Sequence, residues 1–146
     1  MRNRSSTKEK PSLRKPNLSS RETGKPPCVM VIDDDGEIRD TLQAALGREY
    51  EIICLDGGEE AVDMIESFKP KLLILDINMP GSDGFEVCAA VRAHAKSRNL
   101  SILFMTARED DMSFLRSLQV GGDSYITKPF EMSDLRDRIS YLLKNP

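Results

Sequence analysis

Residues 71–80, KLLILDINMP, decide the fold. Four consecutive apolar residues, Leu72 to Leu75, lead straight into Asp76. A run that is apolar at every position cannot keep one face in water. It predicts a strand covered on both sides, as in the centre of a parallel α/β sheet. Asn78 and Pro80 shape the loop that follows, and Pro70 marks the end of the preceding helix because proline cannot continue the hydrogen-bond ladder.

Three further apolar runs lie outward from this one, and each ends on a polar residue. Val29–Ile32 leads into Asp33, Asp34 and Asp35; Ile102–Met105 into Thr106 and Ala107; Tyr125–Thr127 into Lys128 and Pro129. In a parallel sheet the carboxyl ends of the strands share one edge, and ligands bind there. Carboxylates, a hydroxyl and an ammonium are thus expected in one small volume, a set suited to a divalent cation and a phosphoryl group.

Between these runs the spacing alternates. Strands are predicted at Cys28–Ile32, Glu51–Leu55, Lys71–Leu75, Ser101–Met105 and Ser124–Thr127. Helices are predicted at Glu37–Arg48, Glu59–Phe68, Gly84–Ala95, Asp110–Val120 and Asp134–Leu143, each with apolar residues at helical spacing. The inward sets are Ile38, Leu42, Ala45 and Leu46; Ala61, Val62 and Ile65; Phe85, Cys88 and Val91; and Leu135, Ile139, Leu142 and Leu143. The pair Gly121-Gly122 ends the fourth helix, and Ser133 is read as the N-cap of the last. Strict alternation of five strands and five helices predicts a doubly wound parallel sheet.

The bulk properties narrow the function classes. A chain of 146 residues with 39% hydrophobic residues suits one globular domain. No apolar stretch approaches the roughly 18 residues of a membrane span, and the N-terminus lacks the apolar core of a secretory signal. The three cysteines, Cys28, Cys54 and Cys88, match no zinc spacing and read as reduced core residues of a cytoplasmic protein. The net charge of −3 hides an asymmetry: residues 1–27 hold eight Lys/Arg and two Glu, a balance of +6 ahead of an acidic remainder. Residues 1–27 carry too little apolar surface to fold and are expected to be a disordered basic tail. We read it as a solvated leader in preference to a nucleic-acid, lipid or partner arm.

The acids carry the chemistry. Asp35 and Glu37 read as helix N-terminal residues, where negative charge is favourable in any case. Asp33 and Asp34 divide evenly between that role and metal binding; Asp76 on a neighbouring strand tips them toward metal. Oxygen ligands with no His or Cys nearby suit a hard ion, and Mg²⁺ over Ca²⁺, since it uses one or two carboxylates and shares a phosphate. A carboxylate beside such an ion, as Asp76 would be, can act as a nucleophile and form an acyl phosphate. Lys128 can serve as a point charge for phosphate. Thr106 alone is weak, since strand-end hydroxyls often bond local backbone.

The segments VMVIDDD (29–35), LLILDINMPGSDGFE (72–86), ILFMTAR (102–108) and GGDSYITKPF (121–130) occur in this order and spacing. In them the chain resembles the receiver domain of bacterial two-component response regulators, over residues 28–144. The resemblance implies a flavodoxin-like (βα)5 sandwich with strand order 2-1-3-4-5, and Asn145-Pro146 as the C-terminal end. It implies Asp76 as phosphoacceptor and Mg²⁺ held by Asp33, Asp34, Asp76 and the Asn78 carbonyl. It also implies that Thr106, Ala107 and Lys128 contact the phosphoryl oxygens, with a cis bond before Pro129. Thr106 and Tyr125 would form the switch that remodels the surface of the fourth helix, fifth strand and fifth helix.

The partners implied are a histidine kinase or histidine phosphotransfer protein, a downstream protein or output domain, and a phosphorylation-dependent homodimer. Direct nucleic-acid binding by the receiver is not expected. No output domain follows the last helix, so the chain either docks to a partner or continues from a linker at Asn145-Pro146. Asp123 and Arg138 fit the charge pattern of relatives that dimerise, whereas Phe114 stands where those relatives place a basic residue; with Leu115 and Leu118 facing the core, it divides evenly between marking a hydrophobic docking patch and simple partial burial at the flank of its helix. Arg108 and Asn78 occupy positions that tune phosphate lifetime in this family. The enzymatic rival, an aspartyl-phosphate hydrolase of the haloacid dehalogenase type, would use the Asp33-x-Asp35 pattern, but Glu37 stands where a Thr or Val is usual. A phosphorylation-independent binding module and a nucleic-acid binder using the tail complete the alternatives.

Overall fold

A computed structural model describes residues 24–94, 99–107, 116 and 119–146. The predicted tail, apart from its last four residues, lies outside them, as do Phe114, Leu115, Leu118 and Arg108. The elements run β1 (Cys28–Ile32), α1 (Gly36–Leu46), β2 (Glu51–Leu55), α2 (Ala61–Phe68), β3 (Leu72–Asp76), β4 (Asn78–Met79), β5 (Ser82–Asp83), α3 (Gly84–Ala93), β6 (Ser101–Thr106), β7 (Ser124–Thr127) and α4 (Met132–Lys144). The predicted helix over 110–120 falls largely outside the described residues. Within them, the Val120 amide donates to the Arg116 carbonyl at 3.1 Å, the helical spacing of four.

The principal sheet has the order β2-β1-β3-β6-β7, and every pairing in it is parallel. Counting the five principal strands along the chain gives 2-1-3-4-5, the flavodoxin-like order. The all-apolar β3 is central: Leu72, Leu73, Ile74 and Leu75 are each fully buried. Alternate residues of the strands feed two cores, one on each face. Met30, Ile32, Leu73, Leu75, Ile102 and Phe104 pack with Ala61 and Ile65 of α2 and Phe85, Cys88 and Val91 of α3. Val29, Val31, Leu72, Ile74, Leu103 and Met105 pack with Leu42 and Leu46 of α1 and Leu135, Ile139 and Leu142 of α4. Among the described residues, helices cover both faces, which is why β3 can be apolar throughout.

Helix starts differ from expectation where local hydrogen bonding decides them. Asp35 caps α1, its carboxylate accepting the Glu37 amide at 2.9 Å. For α4 the cap is Glu131, not Ser133: its carbonyl already accepts the Leu135 amide at 3.2 Å, so the first turn forms two residues earlier. Glu59 and Glu60 stay outside α2, whose Ala61 amide bonds the Gly58 carbonyl at 3.2 Å. The two-residue β4 and β5 form an antiparallel ribbon, Asn78 opposite Asp83 and Met79 opposite Ser82. It is too short to leave a periodic signal.

Candidate functional site

The sheet ladder extends one residue beyond three of its strands, and this positions the site. The Asp33 amide donates to the Leu55 carbonyl at 3.1 Å, the Ile77 amide to Met105 at 2.9 Å, and the Lys128 amide to Thr106 at 2.6 Å. The backbone that carries the polar residues is therefore hydrogen-bonded sheet, not free loop.

One carboxylate oxygen from each of Asp33, Asp34 and Asp76 lies within 4.8 Å of the others. Asp33 and Asp76 are buried, and Asp34 is exposed to solvent. Lys128 reaches across from β7: its Nζ is 2.9 Å from Asp33 Oδ2 and 3.6 Å from Asp76 Oδ2. The bond between Lys128 and Pro129 is cis. Asp33 Oδ1 accepts the Asp35 amide at 2.9 Å, and Asp76 Oδ1 the Asn78 amide at 3.1 Å. Each buried carboxylate is thus oriented by a backbone N–H two residues on, the geometry of an Asx turn.

Electrostatics follow from this crowding. Burial holds the Asp76 carboxyl above the usual carboxylate range and the neighbouring Asp33 adds to this, against the Asn78 amide and the Lys128 ammonium, which favour the charged form. Burial alone would lower the Lys128 pKa, but the Asp33 and Asp76 carboxylates outweigh it and hold Lys128 above its ordinary value. A carboxylate held above its ordinary pKa by burial, and further by a second carboxylate, is relieved by a cation. An all-oxygen donor set with two buried members and one solvent-facing member suits a hard divalent ion that keeps waters. The residues present therefore fit Mg²⁺.

Thr106 is buried at the end of β6, and its Oγ1 donates to Asn78 Oδ1 at 3.3 Å. The Ala107 amide donates to the same oxygen at 3.4 Å. Tyr125, opposite Phe104 across β6–β7, is half-buried and packs against the core under α2 and α3.

Several residues that sequence reading did not single out hold this arrangement. Arg39, in the first turns of α1, donates to the Asp33 carbonyl at 2.7 Å. A cation six residues after an acid pair was its only signal. Arg92 of α3 bonds the Gly121 carbonyl through Nε (2.9 Å) and Nη2 (2.8 Å), and pairs with Asp123 at 2.8 Å. It also bonds the Leu100 carbonyl through Nη1. The same Asp123 oxygen accepts the Ile102 amide at 2.8 Å, so this carboxylate also bonds within the chain. Arg138 likewise bonds Ser124 Oγ at 3.3 Å. The Arg116 guanidinium stacks 4.5 Å from the centroid of Phe85 and pairs with Asp83 at 3.4 Å.

The cysteines are all free thiols; Cys88 is fully buried, whereas Cys28 and Cys54 are half-buried. Burial pushes the Cys88 thiol up to about 11, which keeps it protonated and unreactive. Among the described residues no helix is long and apolar enough to cross a membrane.

A doubly wound sheet with an acidic triad and a lysine at its carboxyl edge defines the phosphoacceptor class of two-component signalling proteins. Residues 29–140 match the response regulator receiver domain, and the chain belongs to that family. It is a phosphoacceptor regulator rather than a classical enzyme, and such a domain implies a cognate histidine kinase. Among solved structures it is similar to a response regulator from Chloroflexus aurantiacus, at 34% identity and TM-score 0.78 over 83% of this chain and 100% of that one. The chemotaxis protein CheY4 of Vibrio cholerae matches at 26% identity and TM-score 0.76, over 80% of this chain and 98% of that one. The BeF3-activated N-terminal receiver domain of RstA from Klebsiella pneumoniae matches at 28% identity and TM-score 0.74, over 81% and 99%.

Proposed function

We propose that residues 28–144 form a phosphorylation switch in which Asp76 accepts a phosphoryl group from a histidine kinase or a histidine phosphotransfer protein. The observation that carries this reading is the Asp33, Asp34 and Asp76 cluster with Lys128 bridging its two buried members. An Asp76 carboxylate oxygen attacks phosphorus in line. The bond from phosphorus to the donor's imidazole nitrogen breaks, and its electron pair returns to the imidazole. Phosphoryl transfer asks a protein mainly for positioning and charge neutralisation. The Asn78 amide orients the Asp76 carboxylate for attack. Lys128, already between the acids, moves its charge onto a phosphoryl oxygen. The Thr106 hydroxyl and the Ala107 amide donate to another. Mg²⁺, held by Asp34 and Asp76 directly, by Asp33 through water and by the Asn78 carbonyl, would neutralise charge on the phosphoryl oxygens.

Movement of Thr106 toward phosphate opens space for Tyr125 to turn inward. The surface of the helix before β7, of β7 and of α4 then changes for a downstream protein or a second copy of the chain. The contacts differ between the two states, as any ligand-driven shift requires. The basic segment 1–27 is outside this machinery, and the setting that suits it is the cytoplasm.

Intact mass after incubation with Mg²⁺ and acetyl phosphate tests the reading. One phosphoryl adduct on the wild type, absent without Mg²⁺ and absent from Asp76→Asn, is the expected result. No adduct on the wild type would leave a binding module that works without phosphorylation.

A further inference from the structure

We infer that the Asn78 carboxamide is an internal competitor for the phosphoryl group, seated on the donors that phosphate would use. This rests on the phosphoacceptor reading above and adds a positioning residue to it. The Thr106 hydroxyl and the Ala107 amide converge on one acceptor, Asn78 Oδ1, at 3.3 and 3.4 Å. Two donors on one atom define a point in space, and that point holds a carbonyl oxygen of Asn78. The same residue's amide N–H bonds Asp76 Oδ1 at 3.1 Å, so the competitor is tethered two residues from the attacking carboxylate.

The seat is built to be vacated. Asn78 is exposed, and it lines an open groove with Ile77, Met79, Gly81 and Phe85 into which its side chain can rotate. Exposed side chains change rotamer in picoseconds to nanoseconds, so the carboxamide slows nothing. It acts on the equilibrium. The resting protein gives up two neutral hydrogen bonds when a phosphoryl oxygen arrives. The charged oxygen makes bonds about twice as strong, so it wins, but by less than it would against water. Thr106 is thereby held in the resting position until an anion displaces the amide. A neutral amide suits this role, since a carboxylate at 78 would also repel phosphate and a side chain with no acceptor at that reach would leave the point where the two donors meet unoccupied.

The test uses the full chain, with beryllofluoride as the phosphoryl stand-in, titrated in excess Mg²⁺ and followed by amide NMR. Asn78→Ala and Asn78→Ser keep the backbone but lose the competitor. Both are expected to bind beryllofluoride roughly fivefold more tightly than wild type, the worth of about one net hydrogen bond. In Mg²⁺-free protein, the Ala107 amide proton is expected to shift upfield in both variants, a readout independent of any loading. Affinity equal to or weaker than wild type in both variants would overturn the competitor while leaving the phosphoacceptor reading intact. Binding by none of the three proteins would overturn that reading, and the competitor with it.

Discussion

Asp76 illustrates how one side chain serves chemistry against stability. Burial and Asp33 raise its pKa in the folded protein, so the protonated form is favoured by folding. The stability this carries is fully present below the unfolded carboxyl pKa and is lost as pH rises through the raised folded value. Above that raised value, metal-free protein folds around a disfavoured charge. Asp76→Asn is expected to raise the urea midpoint in EDTA at pH 7, with the gain shrinking as pH is lowered through the Asp76 titration. Lys128→Ala should do the opposite, since it leaves Asp33 buried beside Asp76 without its ammonium; a loss of about 2 kcal/mol in the same assay is expected. The clustering of these residues was legible because each ends an apolar run, and strand ends share an edge. What Asn78 and Arg39 touch was not. Asn78 reaches Thr106 across 28 residues, and only the fold brings them together.

At the scale of elements, close approach decides more than propensity does. α3 starts on Gly84, where an added Cβ would stand 2.5 Å from the Asp76 carbonyl oxygen and 2.8 Å from the Ile77 Cα. Both are backbone atoms and cannot step aside. Gly84→Ala is expected to lower stability by about 1–3 kcal/mol in thermal unfolding and to disturb the residues that carry the site. At the other end of α3, Arg92 ties the helix to the start of β6 and to the turn before β7. Gly121 makes room for it: its φ is +99°, and a Cβ there would meet Arg92 carbons and nitrogen at 3.0–3.4 Å. Arg92→Lys should lose most of the clamp, about 2 kcal/mol by urea denaturation, because an ammonium cannot fork to two carbonyls and a carboxylate. The strands were readable as apolar runs, and the helices as periodic ones. The β4–β5 ribbon was not, since two residues carry no period, and the start of α4 was misplaced because backbone bonding at Glu131, not the favourable Ser133, sets it.

At the scale of the whole molecule, two cores share one sheet, and the site draws on four of its strands. A ligand bound there cross-links strand ends that unfolding would separate. Beryllofluoride with Mg²⁺ at a hundred times its dissociation constant is expected to add about 2.7 kcal/mol to stability, seen as a rise in Tm of several degrees, and Asp76→Asn should abolish the rise. The start of β1 and the end of α4 both lie toward the sheet edge opposite the acids, for β1 begins there and α4 returns from β7 toward it. A fluorophore, surface tether or fused reporter attached near Cys28 or Lys144 would therefore stand a full strand length from the carboxylates. Such handles offer a way to immobilise the protein for single-molecule work with its chemistry facing free solution.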